Sequence, residues 1–298
     1  MTGWSYRVGE FARRLWVKIV EDDVLFMASA VAFNLLVAML PLIILGIGVT
    51  GYVLSRQVGD PVEAIVALAA GLLPESSRGA DPSGTVRTIV ARVMEQRSGF
   101  TLFGALFFVW LSTRLVGTLR VALREIFDIA QARGIIQGKI FDIQVVLVGV
   151  LLLTVNLGLV LALETAVRFG VDFLGLGGAA LSGAEWFFGQ TLAVGAIWTL
   201  FLVMYRFLPA RRIPWRTSVV AATFAGLCHE LLKHGFAWYA TDLADYSSTW
   251  GNLATVAVLF FWIYYEALVF ILGGEVGQVY TMRKAAKLQA EITLGANG

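Results

Sequence analysis

The sequence predicts an all-α, polytopic membrane protein with six transmembrane helices. Hydrophobic residues make up 58% of its 298 residues, and the mean hydropathy is +0.77. An ordinary soluble domain is only about 45–50% apolar. Six apolar stretches also approach the length of about 20 residues that a helix needs to cross a bilayer. The predicted spans are 24–54, 99–118, 141–163, 185–208, 217–238 and 251–273.

The distribution of Lys and Arg between the spans predicts the orientation. Basic residues are concentrated in the N-terminal segment, which includes Lys18, in the second loop, which includes Arg120 and Arg124, and in the fourth loop and the C-terminal tail. The third loop has only Arg168, and the fifth loop, 239–250, has none. Cytoplasmic loops are enriched in Lys and Arg, so both termini are predicted to be cytoplasmic (N-in/C-in). The long first loop, 55–98, is an exception, but its five arginines are offset by five acidic residues.

The N-terminal segment, 1–20, is predicted to be an interfacial helix. Val8, Phe11 and Leu15 recur at helical spacing, with most basic residues elsewhere, which is typical of an amphipathic helix lying on the inner leaflet. The alternative is an ordinary solvated lead-in. These residues are too polar for a signal peptide.

The first loop is predicted to contain two amphipathic helices on the outer face, because 44 residues without secondary structure would be unusual. They would either cap the bundle or rest on the outer leaflet. No composition shift indicates a soluble domain, so one membrane domain is predicted to fill the chain. This domain covers 1–298. It comprises the bundle 24–281, which includes the outer loop 55–98 with helices at 61–73 and 83–97, and a cytoplasmic tail, 282–298.

Enzymes and nucleic-acid-binding proteins fit this sequence poorly. The single cysteine, Cys228, cannot form an intramolecular disulfide, and with two histidines it makes a poor zinc set. No P-loop or dinucleotide fingerprint is present, and the run that begins at His229, HELLK, departs from HExxH at its last position. The net charge of +2 is not gathered on one basic face. We therefore expect no enzymatic activity, catalytic residue, metal, cofactor or nucleic-acid partner.

Two ionisable residues lie in the predicted inner half of the membrane. Arg114 and Glu266 each follow the outer start of their span by fifteen residues, about 22 Å at the helical rise. An ionisable group at such depth costs about 2.5–3.5 kcal/mol on insertion scales and usually faces the bundle interior or water. One interpretation is an ion pair or a charged cavity lining on the substrate pathway. The other is that both side chains reach the cytoplasmic interface as structural anchors.

A second polar group lies in the predicted outer half of span five. Glu230 is spaced i,i+3 from Lys233 and i,i+4 from His234, so these side chains share one helix face. His229 adjoins them. One interpretation is a polar site or proton relay open to the outside, and the other is a self-neutralised cluster near the interface.

Span one contains Asn34 and Pro41, which are further candidates for the substrate pathway. Proline removes a backbone donor and is expected to kink the helix, leaving carbonyls that other groups must satisfy. In span six, Gly273, Gly274 and Gly277 are predicted to allow close helix packing. Glu275 is predicted to lie at the cytoplasmic interface.

Two motifs carry a family resemblance. Loop four and span five contain Y-x-x-x-P-x-R-x-x-x-W-R followed by E-L-x-K, and span six contains W-x-Y-x-x-A-x-x-x-x-x-G-G-E. They resemble segments of the YihY/virulence-factor BrkB family of bacterial inner-membrane proteins, which usually have Ala at the second glycine. The similarity extends over roughly 24–281. The matching residues are Tyr205, Pro209, Arg211, Trp215, Arg216, Glu230, Leu231, Lys233, Trp262, Tyr264, Ala267, Gly273 and Glu275.

The resemblance implies a six-helix protein of the bacterial plasma membrane with both termini inside. Some members carry an old ribonuclease BN label, which this sequence does not support because it has no metal-ligand set or nucleic-acid surface. Other members are associated with export of lipid A or with envelope lipid homeostasis. The implied function is translocation of lipids or other amphipathic envelope molecules, or an accessory role in it, with membrane lipids as partners.

Two functional hypotheses follow. In the first, a cavity between spans one, two, five and six moves a lipid, and guanidinium groups such as Arg211 and Arg216 attract its phosphate. His229 and His234 are further headgroup or interface candidates. In the second, the chain is a non-catalytic scaffold that recruits an envelope protein through loop 55–98. No ATP-binding motif is present, so transport would be passive, ion-coupled or driven by a partner. The sequence leaves the substrate and the oligomeric state open.

Overall fold

The fold is all-α over the residues that the computed structural model describes, which are 3–54, 97–130, 134, 136–149, 151, 178–239 and 251–296. This confirms the predicted helical class. We number the helices α1 to α7 in chain order. They are α1 (Gly3–Glu21), α2 (Val24–Leu54), α3 (Arg97–Ile126), α4 (136–149), α5 (Gly178–Phe207), α6 (Trp215–Trp238) and α7 (Gly251–Ala296).

Three helices extend well beyond their predicted spans. Helix α3 continues eight residues past 118, α5 begins at Gly178 rather than at 185, and α7 continues to Ala296, so the predicted tail 282–298 is helical almost to its end. In α3 the reason is the apolar spacing of the extension. Leu119, Leu123 and Ile126 recur on one face, and all three are buried. Arg120 and Arg124, assigned to loop two from the sequence, therefore lie within α3.

Other predictions lie wholly or partly outside the described residues. The proposed helices of loop one fall there, because 55–96 is outside the description. Of the third span, 141–163, only 141–149 and 151 are described, and these residues are helical.

Membrane character is visible in the described helices. Two of them, Gly104–Ile126 and Ala257–Ala286, are long and apolar enough to cross a bilayer. The bent pair Val8–Glu21 and Val24–Met39, which meet at 60°, would add a third if it forms one span. The six-span topology and the N-in/C-in orientation remain predictions. Large apolar side chains are also exposed along the helices, as expected for surfaces that face lipid; examples are Phe26, Phe33, Trp110, Leu227, Leu231 and Phe261.

The chain divides into two compact units. The first comprises Met1–Ala28, Val116–Lys233 and Ala267–Gly298, and the second comprises Ser29–Leu115 and His234–Glu266. The prediction of a single membrane domain remains a prediction.

The first unit has a core in which α7 packs closely on α5 and α6. The Tyr205 hydroxyl donates a 2.6 Å hydrogen bond to the carbonyl of Phe270, and the two rings stack with centroids 5.0 Å apart. A Cβ at Gly273 would collide with the Tyr205 hydroxyl and would lie 2.8 Å from Cβ of Ala225. At Gly277 a Cβ would lie 3.0 Å from that of Ala221. The predicted packing role of the glycines is confirmed.

A buried ion pair joins α3 to α4 in the same unit. Nη2 of Arg120 lies 3.2 Å from Oδ2 of Asp142, whose side chain is only 4% exposed. Gly138 leaves room for the guanidinium, since a Cβ there would lie 2.6 Å from Nη1.

Candidate functional site

Glu230 and Lys233 of the polar cluster predicted on α6 form a direct ion pair. Nζ of Lys233 lies 2.6 Å from Oε2 of Glu230, as their i,i+3 spacing predicted. The side chains are 36% and 21% exposed, so the pair is partly solvated. The His229 ring packs edge-on against Phe201 with centroids 6.3 Å apart, and His234 is exposed. The ion pair is what the self-neutralised interpretation requires, although the proposed roles of these residues remain predictions.

Four predicted pathway residues belong to the second unit. Arg114 is exposed on α3 and Glu266 is half-buried on α7, and each side chain has interaction partners. Their mutual pairing remains a prediction. Nδ2 of Asn34 donates a 2.8 Å hydrogen bond to the Ala30 carbonyl one turn earlier in α2, which satisfies that donor locally. Pro41 is buried within α2.

Loop four is held in place by Arg206, at the end of α5. Its Nη1 donates to the carbonyl of Ile213, and its guanidinium lies 4.6 Å from the centroid of the Trp215 ring. Pro209 between them is buried. A cation over an aromatic face stabilises such a loop electrostatically. The loop motif therefore has a structural basis. Its Trp215 ring packs against the guanidinium of Arg206, a residue that the motif does not specify.

A cavity of about 910 Å³ lies beside this loop in the first unit. Its wall combines apolar side chains with hydroxyl, amide and charged groups from the segment after α3, the start of α4, loop four and the inner part of α7. The lining residues are Phe127, Asp128, Ile129, Ala130, Gly134, Gln137, Ala210, Arg211, Arg212, Ile213, Pro214, Thr217, Gln278 and Thr281.

The arginines of this cavity differ in part from those predicted. Arg211, predicted from the sequence, lines the cavity, and Arg212 lies beside it. Arg216 is exposed but is not among the lining residues. The helix α6 begins at Trp215, so Arg216 belongs to its first turn, whereas the other two arginines belong to the loop.

Behind the cavity wall lies a charged group that we call the inner cluster: Lys18, Asp22, Asp128, Glu275 and Gln278. Nζ of Lys18 donates to both oxygens of Asp22, at 3.2 and 3.3 Å, and to Oδ1 of Asp128 at 3.2 Å. Nε2 of Gln278 donates to Oδ2 of Asp128 at 2.7 Å. The cluster thus joins α1, α7 and the end of α3.

Local backbone geometry places two of these carboxylates. Asp128 follows the last turn of α3 with a φ of 48°, a left-handed conformation that Asp tolerates better than most residues. The amide of Ile129 then bonds to the Arg124 carbonyl at 2.9 Å and closes the helix end. Asp22 lies in the two-residue break between α1 and α2, beside Asp23, whose φ is 47°.

Burial controls the charges of the cluster. Burial of the ammonium lowers the pKa of Lys18, but its hydrogen bonds to Asp128 and Asp22 outweigh this, so the pKa lies above its ordinary value. Burial raises the pKa of Asp22, and its contacts with the Glu275 carboxyl group and the Lys18 ammonium only partly oppose this. Among the described residues, no group of three or more His, Cys, Asp or Glu side chains could hold a metal ion.

Glu275 is fully buried within the protein, with a residue exposure of 0%. Its predicted depth, at the cytoplasmic interface, remains a prediction. Within the described part of the chain, neither of its carboxylate oxygens accepts a hydrogen bond. Its neighbours include the carboxyl groups of Asp22 and Asp128 and the ammonium of Lys18. The sequence did not indicate this burial, because Glu275 follows an apolar span by two residues, a position typical of a membrane boundary. Instead, α7 continues with buried Val276 and Val279 around it.

Sequence reasoning missed most of the inner cluster. Lys18 was counted as a cytoplasmic charge, and Asp22, Asp128 and Gln278 were not singled out. These residues are separated by up to 256 positions between Asp22 and Gln278, so no local spacing connects them. One available signal was the pair Asp22-Asp23 before an apolar span, a position suited to a helix start.

Comparisons with known proteins agree with the resemblance. The family described as Virulence factor BrkB matches residues 15–293. A UPF0761 membrane protein of Nitrosospira multiformis is 22% identical over 274 residues, which are 91% of this chain and 61% of that protein. A UPF0761 membrane protein of Cronobacter sakazakii is 25% identical over 288 residues, 93% of this chain and 92% of the relative.

The length of the relatives varies. The chain spans 61% of the Nitrosospira protein and 58% of a relative from Alkalilimnicola ehrlichii, but 88% of one from Pseudoalteromonas translucida. No solved structure matches the chain. Since the family match covers nearly the whole sequence, and the relatives are membrane proteins by name, the chain is a membrane protein that belongs to the BrkB virulence factor family.

Proposed function

We propose that the protein binds the anionic headgroup of a membrane lipid in the 910 Å³ cavity, as a step in lipid translocation or as an accessory to it. The observation that carries the proposal is the combination of two exposed arginines with apolar walls in one cavity. We further propose that it does so without enzymatic chemistry, in the bacterial inner membrane with both termini cytoplasmic.

The charge of the cavity favours an anion. Arg211 and Arg212 contribute two permanent positive charges. Among the described lining residues, the only acidic one is Asp128, whose two oxygens already accept hydrogen bonds from Lys18 and Gln278. Guanidinium groups bind phosphate with charge-assisted, often bidentate hydrogen bonds. The cavity therefore offers a phosphate two donors and little competing negative charge.

The apolar part of the wall favours an amphipathic ligand over a free ion. Phe127, Ile129, Ile213 and Pro214 lie in the same lining as the arginines. A small inorganic anion gains nothing from such side chains, whereas glycerol and acyl segments next to a headgroup bury apolar area against them.

The predicted topology places this cavity at the inner leaflet. Its lining comes mainly from loops two and four, both of which are rich in basic residues and are predicted to be cytoplasmic. Anionic lipids of the cytoplasmic leaflet would then reach the cavity from the side, and juxtamembrane basic residues would concentrate them.

Lipid binding tests the proposal directly. Purified protein would be titrated with phosphatidylglycerol, and with phosphatidylcholine as a lipid without net charge, in detergent or nanodiscs. We expect preference for the anionic lipid, and a loss of about tenfold in affinity, or more, in the Arg211→Ala/Arg212→Ala variant. The matched control is Arg13→Ala/Lys284→Ala, which removes two exposed charges elsewhere. An equal loss of affinity in both variants would mean that the lipid is attracted by general surface charge and not bound in the cavity, and would contradict the proposal.

Leaflet exchange then separates transport from the alternative function. Labelled phospholipid and lipid A would be followed in proteoliposomes that contain wild type, Arg114→Ala or the double arginine variant. Exchange that requires the protein and falls in the variants would support translocation. Binding without exchange would favour an accessory role, or the scaffold hypothesis in which loop 55–98 recruits an envelope protein.

A further inference from the structure

We propose that Asp22 and Glu275 form a proton-binding site, in which the Glu275 carboxyl group carries a proton at neutral pH and donates it to the Asp22 carboxylate. The first observation is the burial of Glu275. It has no exposed area, and within the described residues neither carboxylate oxygen has a hydrogen-bond donor. An ionised carboxylate in such a position would lose its hydration without replacement.

The second observation is the excess of carboxyl groups over cations. The charged groups of the described residues that face Glu275 are Asp22 and Lys18 from α1 and its end, and Asp128 after α3. Glu21 is also 4.0 Å from Lys18, but it is 63% exposed and therefore solvated. One ammonium that also binds the partly exposed Asp128 cannot neutralise two buried carboxylates, Asp22 and Glu275. A shared proton is the usual way in which neighbouring buried carboxyl groups relieve such an excess.

The hydrogen bonds indicate which carboxyl group carries the proton. Lys18 donates to both oxygens of Asp22 and to Asp128, so each of these two groups receives a hydrogen bond that favours its charged form. Asp128 is also 56% exposed and receives a bond from Gln278. Glu275 has no such donor. Two ionised carboxylates are both acceptors, so the contact between Glu275 and Asp22 becomes a hydrogen bond only when one of them is protonated.

The site is also connected to the cavity. Asp128 and Gln278 line the cavity and belong to the inner cluster. Loss of the proton would add negative charge behind that wall and weaken binding of an anion, and by linkage a bound anion would favour proton uptake. This coupling rests on the proposed function, whereas the proton site itself does not.

Infrared spectroscopy of the wild-type protein tests the proton site. A protonated carboxyl group has a C=O stretch well separated from that of a carboxylate. A maltoside detergent, which has no ester carbonyl, keeps this region clear. We expect the band at neutral pH, its absence in Glu275→Gln, and its retention in Glu125→Gln, which removes an exposed Glu of α3. Lack of the band in wild type, or its persistence in Glu275→Gln, would overturn the proposal.

Stability and binding provide a second readout. Because a glutamine amide can donate to Asp22 as a protonated Glu275 would, we expect Glu275→Gln to fold and to unfold at nearly the wild-type temperature. A large loss of stability would indicate an ionised, structurally required Glu275 and would contradict the proposal.

The coupling between the proton site and the cavity is tested by lipid binding. Binding of phosphatidylglycerol should weaken with rising pH in wild type but not in Glu275→Gln. Equal pH dependence in both would overturn the coupling, whereas no binding at any pH would overturn the proposed function alone.

Discussion

The ion pair on α6 and the inner cluster differ in how the fold assembles them. Glu230 and Lys233 are three residues apart on one helix, are partly solvated and neutralise each other. Lys18 is 6% exposed and binds carboxylates from two separate segments, one of them 110 positions away. The first pair would form in the isolated helix, but the second arrangement exists only when several elements pack. Chemistry that depends on burial is therefore expected in the inner cluster.

Replacement of Lys18 should have the largest effect. Lys18→Met leaves Asp22 and Asp128 without their ammonium, and removal of one partner from a buried ion pair usually costs about 3–5 kcal/mol. We expect a marked fall in the unfolding temperature, followed by circular dichroism in detergent. Lys284→Met, at an exposed position on α7, is the control. If the two variants unfold at the same temperature, the ion pairs of the inner cluster contribute no more to stability than a surface ion pair does.

Gly273→Ala should have the next largest effect, because it disturbs the packing that positions Glu275. The added methyl group would collide with the Tyr205 hydroxyl and the Ala225 side chain, and overpacking of a core typically costs about 1–3 kcal/mol. Gly235→Ala on α6 meets nothing within 4 Å and should be neutral or stabilising by about 0.5–1 kcal/mol. Unfolding free energies would be compared, and equal effects would argue against close packing at Gly273.

Asp22 should make a smaller contribution to the free energy of unfolding than Lys18 or Gly273, and this contribution should depend on pH. Burial raises the pKa of this carboxyl in the folded state, so between the unfolded and folded values the folded protein binds more protons. Its stabilising contribution is then present below the unfolded pKa of about 3.9 and decreases as pH rises through the folded value. We expect thermal unfolding scans to show this decrease in wild type and less of it in Asp22→Asn. The opposite slope would mean that Lys18 outweighs burial.

Glu230→Gln should have the smallest effect. A partly solvated ion pair contributes about 0.2–1 kcal/mol, so the unfolding temperature should change little. The same variant tests the relay hypothesis, because lipid exchange or an envelope phenotype that is lost from a folded protein would assign Glu230 a functional role. No change in either would leave the pair as a local feature of α6.

Much of the fold could be predicted because it depends on local patterns. Apolar length and spacing identified the positions of the described helices, with both ends correct within two residues for α2 and α6, and the glycine spacing on α7 predicted its close packing. The extensions of α3 and α7 were missed because a hydropathy window ends where polar residues appear, although one face remains apolar. Arg211 was found because a motif carries it. Asp22, Asp128 and Gln278 could not be found, since tertiary packing alone brings them together.

The glycines of α7 also determine how that helix can move. Glu275 lies between Gly274 and Gly277, within the stretch that contacts Ala221 of α6 and Ile126 of α3 most closely. Sliding by a single residue would shift α7 by about 1.5 Å and bring side chains with a Cβ toward these contacts, where a Cβ at Gly277 or Gly274 would lie only 3.0 or 3.3 Å from Ala221 or Ile126. A change in register would thus have to carry the carboxyl group away from Lys18 and Asp22. The position of α7 and the protonation state of Glu275 are therefore coupled, so that a change in one favours a change in the other.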